Sequence, residues 1–325
     1  MLSTYIVEFD LKTRGYQILS LEAFSISEKN LQKIYWIHCD LTKADHLNQI
    51  AKKINLPDEV IDLCRNESTM PRLIENNETV AIQVECLETA EHNKLSDILF
   101  SNLTLFLTSR YCFTAASKPL PTLVTFKDNF HKYLSFAKTP CFILFLLLDN
   151  TINDFSKLLL DFEILADQID MQVEKSTKDL TYSKVMSTKK QVIKIQHHVA
   201  GIRDILMRIS GRMITVISEA CRLSLINLLD HTHIIFNEAE AIREILKNIL
   251  DQIDNALMQR MNNTMKVLTT FAAVFLPLSL IAGIYGMNFY WIPELEWKYG
   301  YFWALFLMLV CGVGLVLLFK KMKWW

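Results

Sequence analysis

The chain has 325 residues, with 34 Lys and Arg against 35 Asp and Glu, and this near-neutral balance gives no support for a nucleic-acid-binding surface. It holds no P-loop, no Gly-x-Ser-x-Gly and no HExxH, so no catalytic constellation points to an enzyme. The seven cysteines, Cys39, Cys64, Cys86, Cys112, Cys141, Cys221 and Cys311, show no CxxC pair or regular spacing and read as scattered reduced core thiols.

The first residues, Met1-Leu2-Ser3-Thr4-Tyr5-Ile6-Val7-Glu8, lack a charged start followed by an apolar core, so no cleaved export signal is expected. Short runs at 34–38, 79–86, 103–107 and 111–115 carry β-branched and aromatic residues between turn signals and read as strands. Between them, 43–54 and 58–64 read as helices, the second starting at Asp58 after Pro57. These elements predict a mixed α/β domain over 1–150. The apolar stretch 141–148 is too short to span a bilayer and reads as a buried helix that ends near Asp149.

From Asp154 onward the pattern is helical. Its first part is acidic, with Asp154, Asp161, Glu163, Asp167, Asp170, Glu174 and Asp179 against Lys157, Lys175 and Lys178, the composition of a solvated helix face. A second helix over 188–209 turns back through Ser210-Gly211, so 151–211 reads as an acidic helical hairpin. Beyond it an apolar residue falls at every seventh position: Ile214, Cys221, Leu228, Ile235, Ile242, Ile249 and Ala256. Ile217, Leu225, Ala239, Leu246 and Ile253 continue the seam on the neighbouring positions. No proline or glycine interrupts this pattern before Pro277 and Gly283. One continuous helix over 212–285 is expected, roughly 110 Å long at about 1.5 Å per residue, with a cytoplasmic stalk over 212–266. Such a helix must bury its stripe against other helices of the chain, neighbouring subunits, or both.

Residues 267–293 and 299–319 contain no Asp, Glu, Lys, Arg or His. Each stretch is long enough to cross a bilayer as a helix, which takes about 20 residues. Transmembrane helices are expected at 267–286 and 299–319, joined by a short outer loop at 287–298. Arg260 and Lys266 precede the first span and Lys320, Lys321 and Lys323 follow the second in a basic tail over 320–325. Excess Lys and Arg mark the cytoplasmic side, so both termini are expected in the cytoplasm. Two helices cannot enclose a water-filled path, so a conducting chain must be an oligomer. The first span suits a lining helix. Asn262, Met265, Leu268, Ala272, Leu276, Ser279, Gly283 and Gly286 recur at spacings of three and four, a stripe that allows either a narrow pore or close helix packing. The second span, rich in Leu, Val and Phe, is better suited to face lipid.

The run Met265-Lys266-Val267-Leu268-Thr269, then Phe275-Leu276-Pro277-Leu278, then Ile281-Ala282-Gly283-Ile284-Tyr285-Gly286-Met287-Asn288-Phe289 resembles the CorA family of divalent-cation transporters. The likeness continues through Pro293-Glu294-Leu295, Trp297, Tyr299-Gly300 and the terminal Lys320-Lys321-Met322-Lys323-Trp324-Trp325. It is close over the last 65 or so residues and looser upstream, where the α/β domain, acidic helix pair and long stalk match in outline.

The resemblance implies an α+β membrane protein: a homopentameric funnel in the lipid bilayer of a bacterial inner membrane, with a pore lined by the first membrane helix of each subunit. It implies passive, potential-driven influx of Mg²⁺, with Co²⁺ or Ni²⁺ as further cargo, no organic cofactor, and feedback gating by internal Mg²⁺. Mg²⁺ holds its waters tightly in near-octahedral geometry. The resemblance therefore assigns selectivity to Gly286, Met287 and Asn288, whose neutral oxygens accept hydrogen bonds from those waters without stripping them. Tyr290 stands where several relatives carry an acid, which leaves attraction at the outer mouth to Glu294 and Glu296. Inward, Asn262 and Ser279 would form polar rings, and Met265, Leu268, Ala272 and Leu276 apolar constrictions that close by dewetting. Asp251 falls where relatives place an acidic ring below the pore, and it reads equally as a charge on a solvated helix face. For regulatory Mg²⁺ the resemblance points to Asp149, but its stalk partner position is Asn227, which would weaken the site or move it to Asp230.

Adjacent histidines, His197 with His198, and the pair His231 and His233 two apart on a helix, diverge and read as ordinary histidines rather than shared metal ligands. His231 beside Asp230 is the best exception. Two alternatives stand beside Mg²⁺ transport. One is a Zn²⁺ transporter of the same superfamily, proton-coupled, against which Met287 argues because that subgroup usually has isoleucine there. The other is a membrane-anchored scaffold, in which replacing Asn288 would be silent.

Overall fold

The computed structural model describes residues 4–22, 24, 32–88, 98–129, 132, 138–175, 179–287 and 297–322. The chain divides into two compact units, Met1–Leu250 and Asp251–Trp325.

The first unit is built on a seven-stranded sheet: β1 (Tyr5–Asp10), β2 (Gly15–Leu19), β3 (Lys33–Asp40), β4 (Arg72–Glu75), β5 (Val80–Leu87), β6 (Phe100–Leu107) and β7 (Tyr111–Ala116). Its spatial order is β2-β1-β3-β7-β6-β5-β4. Only β3 and β7 pair in parallel, with Trp36 opposite Cys112 and His38 opposite Thr114. All four strands read from the sequence are present, within three residues at each end. β1, β2 and β4 are additions. The β1–β2 turn is held by Asp10, whose Oδ1 accepts from the backbone N–H of Lys12 at 2.8 Å and Thr13 at 3.2 Å, with Arg14 at φ 53°.

Alternation along β3 serves both faces. Tyr35, Ile37 and Cys39 join a core with Leu47, Ile50, Val60 and Leu63 from α1 (Ala44–Ile54) and α2 (Asp58–Arg65). On the other face the Trp36 ring meets Phe126 of α3 (Pro121–Asp128) edge-on, with centroids 4.5 Å apart. Its indole N–H donates to Thr114 Oγ1 at 3.0 Å, so the buried polar tip is satisfied.

Two long helices follow, α4 (Pro140–Lys175) and α5 (Asp179–Ser210). The helix expected to end near Asp149 continues for another 26 residues. The polar run there stays helical because it bonds within the helix: Thr151 Oγ1 donates to Leu147 O at 2.9 Å and Asn153 Nδ2 to Asp149 Oδ2 at 3.1 Å. Gly201 is fixed by contact rather than by φ. A Cβ there would overlap Pro71 Cγ, so only glycine lets α5 meet that ring.

The stalk is α6 (Glu219–Tyr285), a single helix of 67 residues that continues into the first candidate membrane span. It starts at Glu219, later than the expected Arg212, because Ser218 caps it: Cys221 N–H donates to Ser218 Oγ at 3.3 Å and Arg222 N–H to Ser218 O at 2.8 Å. Ile214 and Ile217 therefore precede the helix. Arg212 pairs with Glu75, and Thr215 Oγ1 donates to Asn77 O, fixing this segment to the β4–β5 turn. Cys221, Leu225, Leu228, Thr232, Ile235, Ala239, Ile242, Leu246 and Ile249 form the buried stripe of the stalk, at alternating steps of four and three. Arg203 of α5 lies 4.7 Å from the Phe236 ring centroid, a stacked contact on the flank of that stripe.

The reading of seven separate reduced thiols is corrected. Cys141, on the first turn of α4, and Cys221, on the first turn of α6, form a disulfide across 80 residues of sequence. Nothing in the spacing shows this pair; folding brings two helix starts together.

Candidate functional site

The second unit contains the end of α6 and α7 (Gly300–Lys321), both long and apolar enough to cross a membrane. α7 lays one face on α6. Gly300, Ala304, Met308, Cys311, Gly312, Leu315 and Phe319 are its less exposed positions, at steps of three and four. A Cβ on Gly312 would lie 4.0 Å from Leu278 Cδ1. On α6 the covered or half-covered positions are Thr270, Ala273, Val274, Pro277, Leu278, Ile281 and Tyr285.

The stripe singled out in the sequence faces the other way. Asn262, Met265, Leu268, Ala272, Leu276, Ser279, Gly283 and Gly286 are all exposed, as is Thr269 beside them. At roughly 100° per residue, their mean direction lies about half a turn from the face that α7 covers. Leu276 is 70% exposed and Leu268 63%. Asp251 is exposed on the same side of the helix. At the lower end Gln259, Asn262, Asn263, Met265, Lys266 and Thr269 line a groove of about 480 Å³. The local chemistry follows from the sequence. Thr264 and Thr270 hydroxyls donate hydrogen bonds to Arg260 O and Lys266 O at 3.0 and 2.8 Å, so they sit within the helix without an unmet donor.

The helix ends at Gly286, whose N–H donates to Ala282 O at 2.9 Å, and Met287 N–H follows to Ile284 O at 3.3 Å. A Cβ on Gly286 would stand 3.1 Å from Ala282 O, tight enough to disturb the turn. One at Gly283 would meet nothing within 4 Å. Asn288, Glu294 and Glu296 lie outside the described residues, as does Lys323.

Asp149 and Asp230 stand on different helices, Asp149 on α4 and Asp230 on α6. Asp149 is half-buried on α4 and burial pushes its carboxyl above the usual range, an effect opposed by the charge of His231 and by the Asn153 amide. Its neighbour on the stalk is therefore His231, while Asp230 is exposed. Sequence reasoning had noted His231 but not this partner, because the register between α4 and α6 is a product of packing. Among the described residues no three His, Cys, Asp or Glu side chains gather as a metal site.

Residues 31–321 match the sequence profile of the family described as CorA-like Mg²⁺ transporter protein. The cobalt/magnesium transport protein CorA of Thermotoga maritima is 32% identical over 183 residues, 56% of this chain and 52% of that protein. The chain thus aligns with about half the length of that relative. The CorA of Methanocaldococcus jannaschii is 21% identical over 90% of this chain and 92% of its own. The complete structure of a CorA magnesium transporter from Methanocaldococcus jannaschii covers 100% of both chains with a TM-score of 0.85 at 19% identity. At that identity the likeness establishes the fold: an N-terminal sheet domain, a helix pair, a long stalk and two apolar helices.

Proposed function

This chain belongs to the family of CorA-like Mg²⁺ transporter proteins, and we propose on that premise that it carries hydrated divalent cations, Mg²⁺ foremost, across a membrane through a pore formed by several copies of α6. Co²⁺ and Ni²⁺ are its further cargo. The observation that carries this reading is the two-faced character of α6: one side packs on α7, and the opposite side presents Asn262, Thr269, Ser279 and Gly283 among Met265, Leu268, Ala272 and Leu276, bare in the single chain. A helix that served only as an anchor would need no polar stripe opposite its partner.

In this reading five copies ring the pathway, both termini lie in the cytoplasm of a bacterial inner membrane, and the domain over 1–150, the acidic hairpin over 151–211 and the stalk over 212–266 stand on that side. Gly286, Met287 and Asn288 select the hydrated ion at the outer mouth. Glu294 and Glu296 draw it in, and Asp251 receives it at the inner end. Met265, Leu268, Ala272 and Leu276 close the path by dewetting. Mg²⁺ is cargo here, not a resident cofactor. A potential of about 100 mV contributes about 2.3 kcal/mol per unit charge, doubled for a divalent ion, so influx needs no other energy source. Asp149 and Asp230 contribute to sensing of internal Mg²⁺ across subunits, with His231 beside Asp149.

The test is flux into proteoliposomes, comparing Mg²⁺ with Zn²⁺ for the natural chain and for Asn288→Ala, with and without a pH gradient. Mg²⁺ uptake that follows the membrane potential and disappears in Asn288→Ala is expected. Zn²⁺ uptake driven by protons would replace this reading with a zinc transporter, and no flux of either ion from assembled protein would leave an anchored scaffold.

A further inference from the structure

We propose that Cys141 and Cys221 form a reversible thiol–disulfide clasp on the base of α6, and that cation flux responds to its state; the flux half of this proposal rests on the transport reading above.

Position is the first argument. The bond joins the first turn of α4 to the first turn of α6, and so ties the start of the stalk to the helix that packs on the sheet. Without it the base of α6 keeps its apolar stripe from Cys221 onward and surface attachments: the Arg212–Glu75 pair, the Thr215–Asn77 hydrogen bond and the Ser218 cap. Polar contacts of this kind contribute about 1 kcal/mol each or less. A covalent link across 80 residues of chain outweighs them by closing a large loop in every competing conformation.

The remaining thiols supply the contrast. Cys39, Cys64, Cys86 and Cys112 are buried and unpaired with other cysteines. Burial pushes the thiols of Cys39, Cys64 and Cys86 up to about 12 and raises that of Cys112 further, which leaves them without thiolate at neutral pH and inert to exchange. Cys141 and Cys221 are the cysteines of the sheet domain and stalk that lie against one another.

Burial supplies the coupling. Both sulfur-bearing residues are 0% exposed. Exchange needs a thiolate to reach one sulfur in line, so it proceeds through an arrangement in which the start of α6 has lifted from α4. In the reducing interior of a cell a disulfide is a conditional state rather than a permanent staple. Closing the clasp forms one S–S bond and breaks another: the two thiols pass two electrons and their two protons to a small-molecule disulfide, which departs as two thiols. A dithiol reverses the step and leaves as its own cyclic disulfide.

The experiment uses the full chain in proteoliposomes, equilibrated with oxidised glutathione or with dithiothreitol. Peptide mass spectrometry maps the Cys141–Cys221 link, hydrogen exchange follows the amides of 219–228, and Mg²⁺ flux is measured on the same samples. Under oxidant the linked peptide is expected, with slow exchange and low flux. Dithiothreitol is expected to abolish it, speed exchange in 219–228 roughly tenfold as local opening becomes easier, and raise flux. Cys141→Ser with Cys221→Ser should match the reduced chain under both reagents; because the natural chain gives the same comparison, a folding defect in the variant does not decide the outcome. Absence of the linked peptide under oxidant, or a link that leaves exchange unchanged, overturns the clasp. A working clasp with equal, measurable flux in both states overturns its control of transport, whereas a working clasp with no flux in either state refutes the transport reading and leaves the clasp standing.

Discussion

His198 Nδ1 on α5 lies 3.1 Å from Glu85 Oε2 on β5, yet the two do not form a charged pair. Burial, with the nearby charges of His197 and Lys194, pulls the imidazole down to about 4, and its Nδ1 makes no aligned hydrogen bond. His38, fully buried beside Thr114, is pulled down to about 4 by burial as well. Unfolded, each imidazole takes a proton near 6.5; folded, it resists until about 4. Their stabilising effect is therefore complete above 6.5 and is lost as pH falls toward 4. Glu85 acts in the opposite sense, because burial and Glu67 raise its carboxyl. Chemical denaturation of the purified chain should show stability falling between pH 6.5 and 4, by on the order of 2 to 3 kcal/mol per histidine before the Glu85 offset. His198→Phe should flatten part of that slope.

The contact of Gly201 with Pro71 gives a second expectation. Gly201→Ala forces its Cβ into the proline ring and should cost about 1 to 3 kcal/mol, the usual range for overpacking. Pro71→Ala combined with Gly201→Ala should recover most of that loss in thermal melts. Additive losses would show that the contact is not the cause.

Ser218→Ala removes the side-chain cap of α6 and should lower stability by about 1 kcal/mol. Hydrogen exchange at Cys221 and its neighbours should rise more than exchange in the sheet.

The sequence makes the central strands and the spans legible because their signals are local. Residues 34–38, 103–107 and 111–115 are dense in apolar β-formers, and the spans lack charge. β2 and β4 were not legible: their side chains are mostly exposed or half-exposed, with Arg72 and Glu75 at the ends of β4, so no buried pattern marks them. The β1–β2 turn uses Arg14 at positive φ where glycine or asparagine would have signalled a hairpin. Asp149 and Asn150 looked like a helix end, but i to i+4 hydrogen bonds carry α4 through them. The Cys141–Cys221 bond and the Asp149–His231 approach depend on register between helices, which one chain's periodicity does not encode. The stripe on α6 was legible, since three-and-four spacing is a property of the helix itself. That α7 would cover the opposite face was not.

Gly283→Val separates folding from conduction. A Cβ at that position has open space around it in the single chain, so helix content should be preserved, and assembly is checked by size-exclusion chromatography. Mg²⁺ flux should fall sharply if the stripe borders the path, and be unchanged if Gly283 faces lipid.

The most direct measurement of the central claim is a thiol-accessibility scan along α6, in a chain with Cys311→Ala and with single cysteines at 265, 269, 272, 276, 279 and 283 and at 270, 274, 277 and 281. A water-soluble, membrane-impermeant thiol reagent is expected to modify the first set and block Mg²⁺ flux, while the second set, on the face toward α7, stays unmodified. Equal reactivity of the two sets, or modification of the first without effect on flux, would contradict a pathway along this face.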